Sequence, residues 1–146
     1  HFVVILLLTY QHMGKFFSGY LSTGWANLGL LILRVGTALL MFTHGWPKLT
    51  HYAALSRTFS DPLHVGSRIS LLMVLFGELV CSLFLLIGLF TRLAVIVIIL
   101  EMVVILALVF PHAGIGKQEL VWLYLIIGCT ILFCGPGRIS VDGMIR

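Results

Sequence analysis

Arg34, Glu78 and Glu101 each stand at the centre of a separate, otherwise apolar stretch of this chain: LGLLILRVGTALLMF, ISLLMVLFGELVCSLFLLIGLF and RLAVIVIILEMVVILALVF. Runs of that length and composition belong in lipid. An unpaired charge at mid-bilayer costs about 2.5 to 3.5 kcal/mol even on lenient insertion scales, so three of them need partners or a purpose. If the stretches cross one bilayer antiparallel, the three charges lie at similar depth. A guanidinium fork matches a carboxylate bidentately, so the expected arrangement is Arg34 paired with Glu78 or Glu101. One cation does not neutralise two carboxylates; the surplus Glu must be protonated, shared, or matched by a ligand or a partner chain. Thr37 lies one turn after Arg34 and Ser82 one turn after Glu78, on the same helix faces, so their hydroxyls are placed to extend the network. Two readings stay open: a buried ion-pair cluster that fixes helix register, or a midplane site for a proton, a quinone head group or another small polar solute.

A second group follows the first apolar run. THGWPKL, residues 43–49, puts His44 and Lys48 at the membrane boundary, on the side that also receives His51, His64 and His112. Interfacial anchoring and protonatable gating of the midplane site are both consistent with them. No HxxxH or HExxH spacing lies on one helix, so a metal is not expected. Near the other end of the chain, Gly135-Pro136-Gly137-Arg138 breaks the last helix, and Ser140 to Asp142 is suited to cap or brace the chain beyond that break. The three cysteines, Cys81, Cys129 and Cys134, form no CxxC pair and read as small buried residues rather than a dithiol centre. No phosphate-binding loop, dinucleotide fingerprint, nucleophile elbow or haem-attachment motif is present.

The elements that must position these residues can be derived from composition. At 60% hydrophobic and 10% charged, the 146-residue chain is far more apolar than the roughly 45–50% of a soluble domain. Its formal charge of +4 is dispersed over helix ends and loops, which speaks for membrane flanks and against nucleic acid. The expected fold is all-α, a four-helix bundle with spans at about 26–43, 69–90, 93–110 and 119–134, each helical because lipid leaves no partner for a free amide. Tyr52, Leu55 and Phe59 at helical spacing suggest a short interfacial helix between spans 1 and 2, stopped at Asp61-Pro62. Trp25, Trp46, Tyr52, Trp122 and Tyr124 fall near span ends, as an aromatic belt would. Four spans put both termini on one side. Lys and Arg number four on each side (Lys15, Arg92, Arg138, Arg146 against Lys48, Arg57, Arg68, Lys117), so the positive-inside rule does not set orientation. Met13 reads as a natural start, which would make residues 1–12 a non-native upstream extension and residues 13–146 one membrane domain.

LRVG with Arg34, THGWPKL with His44, Gly45 and Lys48, DPLHVGSRIS, GELVCSLFLLIGLFTRLA with Glu78, Gly88 and Arg92, and the closing GPGRISVD occur in an order that resembles the DoxX family of small four-helix membrane proteins. The resemblance implies a multi-pass protein of the bacterial cytoplasmic membrane with cytoplasmic termini. It also implies a membrane subunit, or quinone-proximal component, of a redox system. Arg34, His44, Lys48, Glu78 and Arg92 match family positions, whereas Glu101 departs from the apolar or small residue expected there. No cofactor of its own is implied, only a bound quinone or lipid; partners would be the bilayer and other redox subunits or further copies of the chain. Whether it is itself an enzyme stays open. A proton-coupled carrier and a non-catalytic scaffold are the alternatives.

Overall fold

The computed structural model describes residues 23–145; the expected extension over residues 1–12 lies outside the described residues. Within them the chain is all-α: α1 (Thr23–Thr50), a short α2 (Tyr52–Thr58), α3 (Ser67–Ile87), α4 (Thr91–Val109), α5 (Ile115–Cys134) and a terminal turn of helix, α6 (Val141–Ile145). Helices α1, α3, α4 and α5 are each long and apolar enough to cross a membrane. They alternate in direction. One end of the bundle, here the upper end, carries the C-terminus of α1, α2, the loop before α3 and the α4–α5 loop. The lower end carries the α3–α4 turn and the segment after α5.

Packing is concentrated on one stripe per helix, and Met41, Leu85, Val95, Ile98 and Ile131 are almost fully buried between them. The opposite faces stay apolar and exposed, as at Ile32, Leu40, Leu93 and Ile126. That pattern suits lipid, where outward apolar surface carries no penalty. Gly128 lets α5 lie close against α4, since a Cβ there would come within 2.9 Å of Ile99.

Helix α1 does not stop at residue 43 as the apolar run suggests. It continues through Pro47 to Thr50. Proline removes the backbone donor that the Thr43 carbonyl would otherwise meet, and nearby hydroxyls bond other carbonyls of these turns: Thr43 Oγ1 donates to the Leu40 carbonyl at 2.6 Å and Thr50 Oγ1 to the Pro47 carbonyl at 3.0 Å. The extra turns matter because they carry THGWPKL on a helix and not on a loop. Two stretches of π-helix interrupt the α geometry, Phe76–Cys81 within α3 and Ile105–Val109 at the end of α4.

The lower end is tied together by the C-terminal segment. Gly88 ends α3 at φ +74°, a left-handed conformation that favours glycine, and a Cβ there would meet Arg34 Nη1 and Ser140 Cβ at 2.6 Å. Phe90 then takes φ +47°, unfavourable for a bulky residue. Asp142 holds it: its carboxylate accepts from Phe90 N at 2.9 Å and Thr91 N at 2.8 Å, capping the start of α4, while Asp142 N donates to the Gly88 carbonyl at 2.9 Å. Asp142 thus braces a helix earlier in the chain. A negative charge on those free N–H groups also suits the helix dipole. We expect Asp142→Ala to destabilise the bundle by about 1–2 kcal/mol, with Asp142→Asn losing less; thermal melts in mild detergent measure both.

Candidate functional site

Lys48 comes from the added turns of α1 and Glu78 from the π stretch of α3. The Lys48 Nζ donates to Glu78 Oε1. A helical Cβ tilts toward the helix N-terminus, so the long Lys48 side chain runs back along α1 into the bundle, its stem against apolar surface. Close approach of the two helices makes the pair reachable: a Cβ on Gly45 would come within 2.6 Å of Leu79 and 3.0 Å of the Glu78 Cβ. Glu78 is only 5% exposed.

Glu101 reaches the same place from α4. Its carboxylate lies directly over Gly77, where any Cβ would collide with it, and it is within electrostatic reach of both Glu78 and Lys48. From α5, Tyr124 completes the layer. It is 5% exposed, its phenol is within electrostatic reach of Glu78, and its ring packs edge-on against His44 at 6.1 Å between centroids. Four helices therefore contribute polar groups at one depth. Among the described residues, Glu78 Oε2, both Glu101 carboxylate oxygens and the Tyr124 hydroxyl are buried with no hydrogen-bond partner. Buried carboxylate oxygens without partners are costly in a low-dielectric interior.

A cavity of about 810 Å³ opens beside this layer. Its walls are apolar and follow helical spacing: Ile69, Leu72, Met73 and Phe76 along α3, and Val97, Leu100, Val104 and Ile105 along α4. The upper half of α3 parts from α4, while the π stretch packs on it, so the cavity is a slot between the two helices. Leu72, Met73, Phe76 and Leu100 are also half-exposed on the outer surface, which opens the slot sideways toward lipid. Lys48, Glu78 and Glu101 form its polar end, and Phe59, Pro62 and Leu63 close over the top. That cover is clipped by Asp61, whose carboxylate accepts from Ser70 Oγ at 2.6 Å, Gly66 N at 2.6 Å and Val65 N at 3.0 Å.

Arg34 is not part of this site, contrary to the expected pairing with Glu78 or Glu101. It lies eleven residues before Gly45, about 16 Å along the helix axis, and faces Gly88. Its guanidinium donates to the Pro136 carbonyl and the Ile139 carbonyl, both at 2.8 Å, close enough to Asp142 for the charges to interact. The apolar run around Arg34 misjudges its depth because the docking of α1 on α3, and not the run, sets it: Arg34 falls opposite Gly88, where α3 ends. Thr37 also departs from expectation: its hydroxyl donates to the Leu33 carbonyl of its own helix at 2.7 Å and extends no network. Ser82 is 1% exposed, and its hydroxyl has no partner among the described residues.

Lys48 reads as an interfacial anchor in the sequence, and the structure turns it inward. His51 is taken up by Thr50 and the Pro47 carbonyl, and His112 lies exposed on the α4–α5 turn. Arg92 is exposed near Gly135. Gly135 and Gly137 have positive φ, Pro136 presents its carbonyl to Arg34, and Arg138 N donates to Asn27 Oδ1 at 2.8 Å. The sequence assigns Tyr124 to an aromatic belt, and its place beside Glu78 becomes visible only once α5 is docked. Gly77 carries no sequence signal beyond being small, and Gly45 stands in the THGWPKL motif with nothing there to show that it admits Leu79.

Breaking a buried pair from one side leaves an uncompensated charge. Lys48→Met should therefore cost about 3 kcal/mol, and the Lys48→Met, Glu78→Leu double variant should recover most of that loss in a detergent melt. Asp61 allows a pH test. Donation from the Ser70 hydroxyl, with the Gly66 and Val65 N–H groups and the charge of His64, holds its carboxyl below the ordinary carboxylate value. Because the folded value is the lower one, the clip is fully present above the ordinary value of about 3.9 and is lost as pH falls through the depressed value. Hydrogen exchange over residues 59–70, corrected for intrinsic rate, should accelerate on that descent, and Asp61→Asn should flatten the dependence.

The family model DoxX matches residues 29–113, more than half of the chain. No curated protein matches the chain and neither does any solved structure. The matched span runs from α1 through α4, so it contains Lys48, Glu78, Glu101, the Asp61 clip and both walls of the slot. The chain is a multi-pass membrane protein, and it belongs to the DoxX family.

Proposed function

We propose that the slot binds a lipophilic ligand of the quinone class, and that the chain serves as a membrane subunit or quinone-proximal component of a redox system with no redox cofactor of its own. The observation that carries this reading is the combination of an apolar, laterally open cavity of about 810 Å³ with a polar end made by Lys48, Glu78 and Glu101. Volumes of 300–1,000 Å³ suit a small-molecule site, and a few placed polar groups in an apolar lining set orientation. An isoprenoid or alkyl tail would leave between α3 and α4 into lipid while the ring sits at the polar end. Electrons would come from partner subunits, in a bacterial cytoplasmic membrane with both termini on the cytoplasmic side. The chain's own contribution is to bind and orient the ring and to exclude water from it.

One feature favours a second reading, a proton-coupled carrier: two carboxylates face a single ammonium, so the layer holds a surplus negative charge that a proton would balance. The lateral opening of the slot speaks for a membrane-dissolved ligand over a water-soluble one.

Protein purified in mild detergent should retain extractable quinone. Adding decyl-benzoquinone or its quinol at about 100 times the dissociation constant should raise the melting temperature by about 5 °C or more. Leu100→Trp, which fills the slot from its outer wall, should leave the unliganded melt intact and abolish the shift. No extracted quinone together with a flat melt for both redox forms would overturn the reading in favour of the carrier or a scaffold.

A further inference from the structure

The polar end of the slot is walled by hydrogen-bond acceptors with bonds left to make. Glu78 Oε2 and both oxygens of Glu101 are buried without a partner among the described residues. Among the described residues the cation that lines this end is Lys48, already engaged with Glu78 Oε1. One oxygen of the Glu101 carboxylate points at Gly77, where the absence of a side chain leaves it room and offers no side-chain donor. Even with one proton on Glu101, its other oxygen and Glu78 Oε2 remain acceptors.

We infer that the head group this site accepts is a hydrogen-bond donor, so that within the quinone class it takes the dihydroxy form in preference to the dicarbonyl form. The inference rests on the proposed lipophilic-ligand reading of the slot and concerns its selectivity. A quinone presents two carbonyl acceptors; a single proton on Glu101 would serve one of them, and the remaining oxygens of Glu78 and Glu101 would still set lone pairs against the ring. A quinol presents two hydroxyls, and hydrogen bonds from a neutral donor to a carboxylate are among the stronger ones a protein makes. A site whose buried polar atoms need a hydroxyl rejects the analogue that lacks it, because those atoms are then left unpaired.

The test compares equilibrium binding of four probes to the full chain in mild detergent under anaerobic conditions: decyl-benzoquinol, decyl-benzoquinone, the dimethyl ether of the quinol, and decyltrimethylammonium. The quinol should bind at least about tenfold more tightly than the quinone or the ether. Glu101→Gln, nearly isosteric and carrying a donor where the carboxylate accepts, should shrink the quinol-to-quinone ratio to under about threefold. Quinone binding as tightly as quinol would overturn the inference and leave the slot reading standing. A dimethyl ether that binds like the quinol would show that shape alone is read, and decyltrimethylammonium matching the quinol would show that charge alone is read; either overturns it. Failure of all four probes to bind would remove the slot reading itself. The wild-type comparison decides the matter even where the variant does not fold.

Discussion

The ion pair between Lys48 and Glu78 is the constraint on which the rest of the arrangement depends. It joins α1 to α3 in an interior where neither charge is tolerable alone. It requires α1 to continue past Pro47, Gly45 to admit Leu79, and the Lys48 stem to run back into the bundle. Once it forms, the register of two antiparallel helices is set. At the opposite end, Arg34 then falls against Gly88, eleven residues from Gly45 down one helix and ten from Glu78 along the other. Two tight contacts at similar separations along the two helices describe one alignment, and sliding Arg34 to Glu78 would break both.

The two charged groups of the bundle differ in what they leave unsatisfied: at Arg34 one guanidinium N–H, Nε, lacks a partner, at the other end carboxylate oxygens do. Arg34 is held by two backbone carbonyls at 2.8 Å beside Asp142, while the Asp142 carboxylate caps α4. Such a cluster locks a turn. The Lys48, Glu78 and Glu101 layer instead leaves three carboxylate oxygens without partners at the end of an apolar cavity. Its backbone is also irregular: the π stretch Phe76–Cys81 widens α3 at Glu78, and a second one, Ile105–Val109, ends α4 beside the slot. π turns inside α-helices are frequent at functional sites. Under-satisfied carboxylates and irregular helical backbone coincide here and nowhere else among the described residues.

Hydropathy made the four spans, the short helix after the first and the Gly-Pro-Gly break legible, because in lipid a long apolar run has one backbone solution. Depth was less legible. The apolar run around Arg34 gives a midpoint near that residue, but packing sets how α1 lies against α3, and it puts Arg34 opposite Gly88 at the lower end of the bundle. Lys48 was hidden for a related reason: its Cα stands near the boundary, and only the direction of a helical side chain carries its ammonium to Glu78. Glu78 and Glu101 were legible as costly charges, and the surplus of carboxylate over cation survives the change of cation. Tyr124, Gly77 and the capping of α4 by Asp142 depend on contacts between segments distant in sequence, which no local pattern encodes.

Helix α4 shows how one short sequence supports both a bundle and a site. Val95, Ile98 and Met102 recur at helical spacing and are buried in the core, and Ile99 meets Gly128 of α5. Val97, Leu100, Glu101 and Val104 recur on a neighbouring face and line the slot. Since both faces are apolar, hydropathy alone does not distinguish the wall of a cavity from the seam of a bundle. Glu101 does, because it falls on the slot face, where its carboxylate lies against Gly77 and not among the packed residues of α5. An acidic residue on the seam would have to displace buried side chains; on the slot face it terminates an apolar channel with a group that has bonds left to make. The same residue that departs from the expected family pattern is therefore the one that gives the slot its chemical polarity.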